Sequence, residues 1–334
     1  MQDELASGPR STNIFSMSVI ESSAAPTRAD VEPLPDNIKS TQPGGGVCYR
    51  IELHWGRHRR WWLKTFNRGY VRRMRELRRG EPAGCPHEIL DPRDLKFCCN
   101  QTDCHWDPAD DPFAWRDKIP FARWGLAELQ LMGWPLLAAT VALALNYWYL
   151  VPLTAIPLFL VVYFFRDPPR KVPEGPGLLV APADGKVVEV TPVAHDEFID
   201  GPAVRIAIFL SLFNVHVNRA ACAARVVRLR YSPGRFMSAL NPDCALHNEY
   251  MWIGLEEEAP PHRRMAMRQV AGQVARRIVC DLRPGQVVQR GEKIGMIKLG
   301  SRTELILPAD GLEVIVKVGQ HIRGGSDVVA RYAR

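Results

Sequence analysis

Apolar residues recur in different ways along the 334-residue chain, and the changes in period divide it. From Leu129 to Phe165 there are 37 consecutive residues without a charged side chain, LQLMGWPLLAATVALALNYWYLVPLTAIPLFLVVYFF. One membrane-crossing helix needs about 20 such residues, so this run is too long for one upright helix and just enough for two short ones. The break at NYWYLVP predicts a helical hairpin that returns both flanks to one side. Beyond residue 172 the period changes. Short β-rich runs, among them GLLVAP, KVVEVTPV, AVRIAIFL, ARVVRLRY, EKIGMIKL and LEVIVKVG, are separated by turn signals such as SPG, RPG and QRG. A PADG turn occurs twice, at 182–185 and 308–311. Many short strands at this spacing predict a sandwich or barrel.

A third pattern precedes the hairpin. Leu63, Phe66, Tyr70, Met74 and Leu77 recur at helical spacing, and between Arg57 and Arg79 ten Arg and Lys accompany a single Glu. This predicts one basic amphipathic helix over 57–79, able to lie on an anionic membrane surface or to pack its apolar stripe on a neighbouring domain. The first 45 residues are polar and rich in Ser, Pro, Asp and Gly, which predicts a disordered leader rather than a secretory signal. The chain thus reads as a leader over 1–47, a basic and Cys/His-rich region over 48–119, an apolar hairpin over 120–171 and a β-rich domain over 172–334. Its class is mainly β (α+β): a sandwich- or barrel-like domain preceded by the hairpin and the basic helical region.

Charge narrows the partners. A net charge of +7 and a pI near 9.1 favour anionic ones: anionic lipid, a phosphate-bearing substrate, or nucleic acid. No base-reading motif accompanies the basic helix, which leaves nucleic acid the least favoured. Lys118 and Arg123 precede the apolar run and Arg166, Arg170 and Lys171 follow it, so the positive-inside rule places that face in the cytoplasm. Five of the eight cysteines fall in the first third. Cys85, His87, Cys98, Cys99, Cys104 and His105 are zinc candidates by ligand type. Their spacing matches no finger and two cysteines are adjacent, so free or buried thiols are the alternative and no metal is assigned.

Three places in the β-rich region could carry chemistry. Asp184 lies in the first PADG turn, where Asp and Gly are what a turn needs. His216, in FLSLFNVHVNRA, has apolar neighbours and reads either as a satisfied core histidine or as a general base. Gly300-Ser301 interrupts IKLGSRTELILP, where a glycine usually marks a bulge. None is specific alone. Together with FRDPPRKVP, PADGKV, FLSLFNVHVNR, HNEYMWIGLE, the stretch from Gln269 to Arg302 and ELILP, all in one order, they resemble the short form of the phosphatidylserine decarboxylase family of pyruvoyl-dependent membrane enzymes. The resemblance covers about residues 120 to 334.

The resemblance implies a zymogen of phospholipid biosynthesis that cleaves itself between Gly300 and Ser301. Ser301 becomes a covalent pyruvoyl cofactor, with Asp184 and His216 as the other catalytic residues. It also implies conversion of phosphatidylserine to phosphatidylethanolamine at a membrane, by two cleavage products that stay associated. In the Ser-His-Asp pattern Asp184 would orient His216, and His216 would activate Ser301. Long-form members carry a second histidine where this chain has Arg219, which leaves the base for self-cleavage open. Arg219, Lys186 or Arg235 could meet the lipid phosphate, and Asn248 is a further polar candidate. A homo-oligomer is compatible with all of this. The alternatives are a decarboxylase of another serine-bearing phospholipid, a non-catalytic membrane scaffold of the same fold, and a main function in the N-terminal Cys/His-rich region.

Overall fold

The structure is a computed structural model and describes residues 28–237, 247–272, 277–298 and 300–333. Helix α1 spans Val47–Phe66 and α2 spans Arg68–Leu77. The single helix expected over 57–79 is therefore broken, at Asn67, where Asn67 and Gly69 are both poor helix formers. The break divides the apolar stripe: Leu63 and Met74 are buried, while Phe66 is 65% exposed. Ion pairs of Arg59 and Arg60 with the buried Asp91 and Asp94 fasten α1 to the segment that follows α2.

The leader expected to be disordered is ordered where the structure describes it, and residues 1–27 lie outside the described residues. Ile38 is in the main core at 1% exposure. The Glu32 amide donates to Val227 O, and Thr41 O accepts the Cys280 amide at 2.8 Å. A polar composition did not prevent this strap from ordering, because its backbone groups find partners along the β domain and one isoleucine fills a core position.

Helices α3, Leu126–Asn146, and α4, Val151–Phe164, form the hairpin, joined by a short turn at Trp148–Leu150. Thr140 Oγ1 and Thr154 Oγ1 meet across it at 2.9 Å. Helix α3 is long and apolar enough to cross a membrane, and Leu145, Trp148 and Leu153 are each more than 70% exposed.

The remainder is fourteen strands among the described residues. They are β1 Leu178–Val180, β2 Gly185–Asp196, β3 Gly201–Leu210, β4 Val217–Arg219, β5 Ala224–Ser232, β6 Tyr250–Glu257, β7 Arg264–Ala271, β8 Arg277–Cys280, β9 Val287–Val288, β10 Lys293–Lys298, β11 Ser301–Pro308, β12 Leu312–Val314, β13 His321–Ile322 and β14 Val328–Tyr332. Eight of them make a curled antiparallel sheet in the order β13-β2-β3-β11-β7-β6-β5-β9. Two three-stranded sheets, β4-β10-β8 and β1-β14-β12, accompany it. Ile206, Ile208, Ile253, Met267, Leu305 and Leu307 alternate onto one face of the large sheet and form the core with Ile278 and Ile294 of the small one.

Candidate active site

Strand β10 belongs to a small sheet and β11 to the centre of the large one, so the chain changes sheets between Lys298 and Ser301. Gly300 makes the turn at φ +66°, a left-handed conformation that glycine adopts without steric cost. The glycine therefore interrupts no strand. Ser301 is the first residue of β11, paired with Leu210 of β3 and Ala271 of β7, and it is wholly buried. Its Oγ has no hydrogen-bond partner among the described residues. A buried hydroxyl without a partner costs about 1–3 kcal/mol, and such costs concentrate where strain or polarity serves chemistry.

His216 comes from the loop between β3 and β4. Ser211 fixes that loop by donating from its backbone and its hydroxyl to Asn214 Oδ1, at 2.9 and 2.7 Å. The Asn214 carbonyl then takes the His216 Nδ1 proton at 2.8 Å, and His216 Nε2 accepts the Gly300 amide at 3.1 Å. This network assigns the proton to Nδ1 and leaves the lone pair on Nε2. The ring is buried and packs 4.4 Å from Phe164 at the end of α4. Burial first, and then the charge of Arg166, pull the His216 pKa down to about 4, against the backbone hydrogen bond. At neutral pH this is a neutral imidazole, a base whose lone pair is directed at the amide one residue from Ser301 Oγ.

Asp184 does not orient His216. Both its oxygens take Arg170 Nη2, at 2.9 and 2.7 Å, and Oδ1 also accepts the Gly324 amide at 2.8 Å. The orienting group of His216 is a carbonyl, which a search for Ser-His-Asp side chains passes over. Arg219 is not available for a lipid phosphate either, because its guanidinium meets buried Asp167 at 2.8 Å and the Gly291 carbonyl at 3.0 Å. Asn248 is a clamp: its amide bonds Met237 N and O and the Ala271 carbonyl, which steadies the strand beside Ser301. Lys186 pairs with Phe209, which pairs with Arg302, so the register puts Lys186 on the sheet face opposite Ser301. Arg235 stays exposed, in a β-bridge with Asn248.

The six zinc candidates do not form one cluster, although Cys85 lies against Cys98 and Cys104. His87 Nε2 meets Asp94 O, His105 Nδ1 meets Asp103 O, Cys99 turns to Asp281 O, and Cys104 packs with Ile89 and Trp106. No group of three or more metal-ligating side chains forms among the described residues.

Four polar residues near Ser301 escaped the sequence reading. Asn218, on β4 of the small sheet, donates to Thr303 Oγ1 at 3.1 Å and accepts from Gln269 at 2.8 Å; all three are buried, Thr303 and Gln269 on the face that carries Ser301. Glu249, whose carbonyl accepts the Ala271 amide, is buried, and that burial pushes its carboxyl up to about 7. Asn218 stands in HVNR and Glu249 in HNEY, but only the packing of one sheet on another brings Asn218 to β11, and only the bond to Ala271 brings Glu249 beside β7.

A partnerless serine behind a left-handed glycine, a neutral buried histidine at the same peptide and an apolar hairpin rooted on that histidine define a class: a mainly β enzyme domain with a serine-centred site facing an apolar anchor. The phosphatidylserine decarboxylase family model matches residues 158–330. A phosphatidylserine decarboxylase proenzyme of Rhodopirellula baltica is 49% identical over 239 residues, 71% of this chain and 99% of that protein. Proenzymes of the same name from Carboxydothermus hydrogenoformans and Desulfotalea psychrophila are 41% and 38% identical, covering 56% and 64% of this chain and 86% and 97% of their own. The chain belongs to the phosphatidylserine decarboxylase family.

Proposed function

We infer that this chain is a phosphatidylserine decarboxylase, made as a proenzyme and matured by breaking its own backbone between Gly300 and Ser301. The observation that carries this reading is the geometry at that peptide: Ser301 Oγ buried without a partner, Gly300 left-handed, and the basic nitrogen of His216 3.1 Å from the Gly300 amide.

Ser301 Oγ attacks the Gly300 carbonyl carbon through a five-membered ring, while His216 takes the hydroxyl proton and returns it to the Ser301 nitrogen as the C–N bond breaks. The chain is now joined through an ester. Loss of the Ser301 Cα proton expels the Gly300 carboxylate and leaves dehydroalanine at 301, and one water then replaces the nitrogen, which departs as ammonia. The pyruvoyl group so formed supplies a ketone that takes the substrate amine and accepts the electron pair released with carbon dioxide. In this reading His216, once Nε2 has taken up a proton during turnover, hands it to the substrate carbon, and the hydrogen bonds of Gln269 to Asn218 and of Asn218 to Thr303 tie β7 and β4 to β11 two residues after Ser301. Arg235 is the remaining candidate of the three for the lipid phosphate.

The fragments have reason to stay together. Strand β11 lies in register between β3 and β7, β14 pairs with β1 and β13 with β2, so residues 301 to 333 are woven into sheets built by the longer fragment. Asp184 adds a contact across the cut through Gly324. The substrate side is apolar: Leu212 and Phe213 are exposed in the His216 loop, beside the root of the hairpin. With 14 residues α4 is about 21 Å long, short of a hydrocarbon core of about 30 Å, so this arm of the hairpin does not cross the bilayer upright and both flanks stay on the cytoplasmic face.

The test is turnover of phosphatidylserine in mixed micelles. The full chain is expected to release carbon dioxide and phosphatidylethanolamine, and Ser301→Ala is expected to do neither. Turnover by Ser301→Ala overturns the reading.

A further inference from the structure

A cavity of 640 Å³ lies between α1 and the base of α3, away from Ser301 and His216 and before the stretch that the family model matches. Its charged wall is lopsided. Arg59 and Arg60 are neutralised by Asp91 and Asp94, and Lys96 by Glu52. Arg93 and Arg116 have no carboxylate within 4 Å among the described residues, and their guanidiniums share one aromatic ring, with Cζ 5.5 and 4.5 Å from the centre of Phe113. Burial, then the charges of Arg93 and Arg123, pull the Arg116 guanidinium down to about 10, against the more distant charges of Asp111 and Asp91. The opposite wall is the hairpin, with Leu131 and Trp134 largely exposed. Cations beside the base of an apolar helix match one kind of molecule at both ends. Guanidinium pairs with phosphate oxygens, and a tryptophan at a helix base sits where headgroups meet chains.

We propose that this cavity is a second lipid site, which takes the phosphate of an anionic phospholipid between Arg93 and Arg116 and lays its acyl chains along Leu131 and Trp134. Occupied, it seats the N-terminal region and the hairpin on the same leaflet, which the catalytic domain alone cannot do.

The test is binding of the full chain to phosphatidylcholine vesicles with or without about one-fifth phosphatidylglycerol, in about 0.5 M salt so that exposed charges are screened. Arg93→Ala with Arg116→Ala is expected to weaken binding to the phosphatidylglycerol vesicles by at least about tenfold, as loss of charge-assisted hydrogen bonds implies, without changing binding to pure phosphatidylcholine. Arg72→Ala with Arg73→Ala, on the exposed side of α2, is expected to bind as the unaltered chain does. Equal loss in both double variants, or loss in neither, overturns the proposal. So does displacement of the vesicles by millimolar inorganic phosphate, which marks a site for a free anion. Should the alanine pair not unfold cooperatively, Arg93→Lys with Arg116→Lys keeps charge and removes the guanidinium fork. Weakened binding by that pair supports the lipid site and unchanged binding overturns it.

Discussion

In the proposed self-cleavage, Gly300 is the residue whose conformation matters most. A Cβ there would meet only Leu212, 3.9 Å away, so space permits alanine. The left-handed φ does not, at about 1–2 kcal/mol. Gly300→Ala is expected to fold, to melt lower by that amount and to process several-fold more slowly, followed on a denaturing gel over time. His216 makes a pH prediction. Its folded pKa, about 4, lies below the ordinary 6.5, so the native state holds fewer protons than the unfolded chain between those values. The stability it contributes is present above pH 6.5 and is lost as pH falls toward 4. Self-cleavage through neutral His216 is expected to be flat above about pH 5 and to fall through about pH 4, whereas a half-maximal rate near pH 6.5 would show an imidazole without this burial. That Gly300, Ser301 and His216 belong together was legible in the sequence from their type and order, and the fold brings the three to one peptide. The partners of Asp184 and Arg219 were not legible, since Arg170, Gly324 and Asp167 reach them only in the folded chain.

At the level of elements, hydrophobic period identified the hairpin and the strand-rich half, and the turn signals fall beside β2, β5, β9, β10, β11 and β12. It failed where a polar segment docks through its backbone. Ile38 lies outside the region of family resemblance, yet it is buried against the β domain. Ile38→Ala is expected to lower the stability of the β domain by about 2–4 kcal/mol, read from denaturant unfolding of the full chain. A change near zero would mean that the strap is not part of that core. The basic helix was legible in its period and charge but not in its break, which Asn67 and Gly69 set against an otherwise continuous stripe.

Across the whole molecule, the hairpin and the Leu212–Phe213 loop place apolar surface beside the buried Gly300-Ser301 peptide, as the proposed lipid substrate requires. Replacing both loop residues with Asp removes two side chains worth about 1.5–3 kcal/mol each on burial, so vesicle binding is expected to weaken more than tenfold. Unchanged binding would confine the membrane contact to the hairpin. The central claim concerns a covalent bond, and intact mass of the denatured chain reads it directly. Two species are expected, residues 1–300 with a free carboxylate and residues 301–334 lighter by one ammonia than the same segment starting with serine, while Ser301→Ala gives one uncut species. A single full-length species that still decarboxylates phosphatidylserine would contradict it.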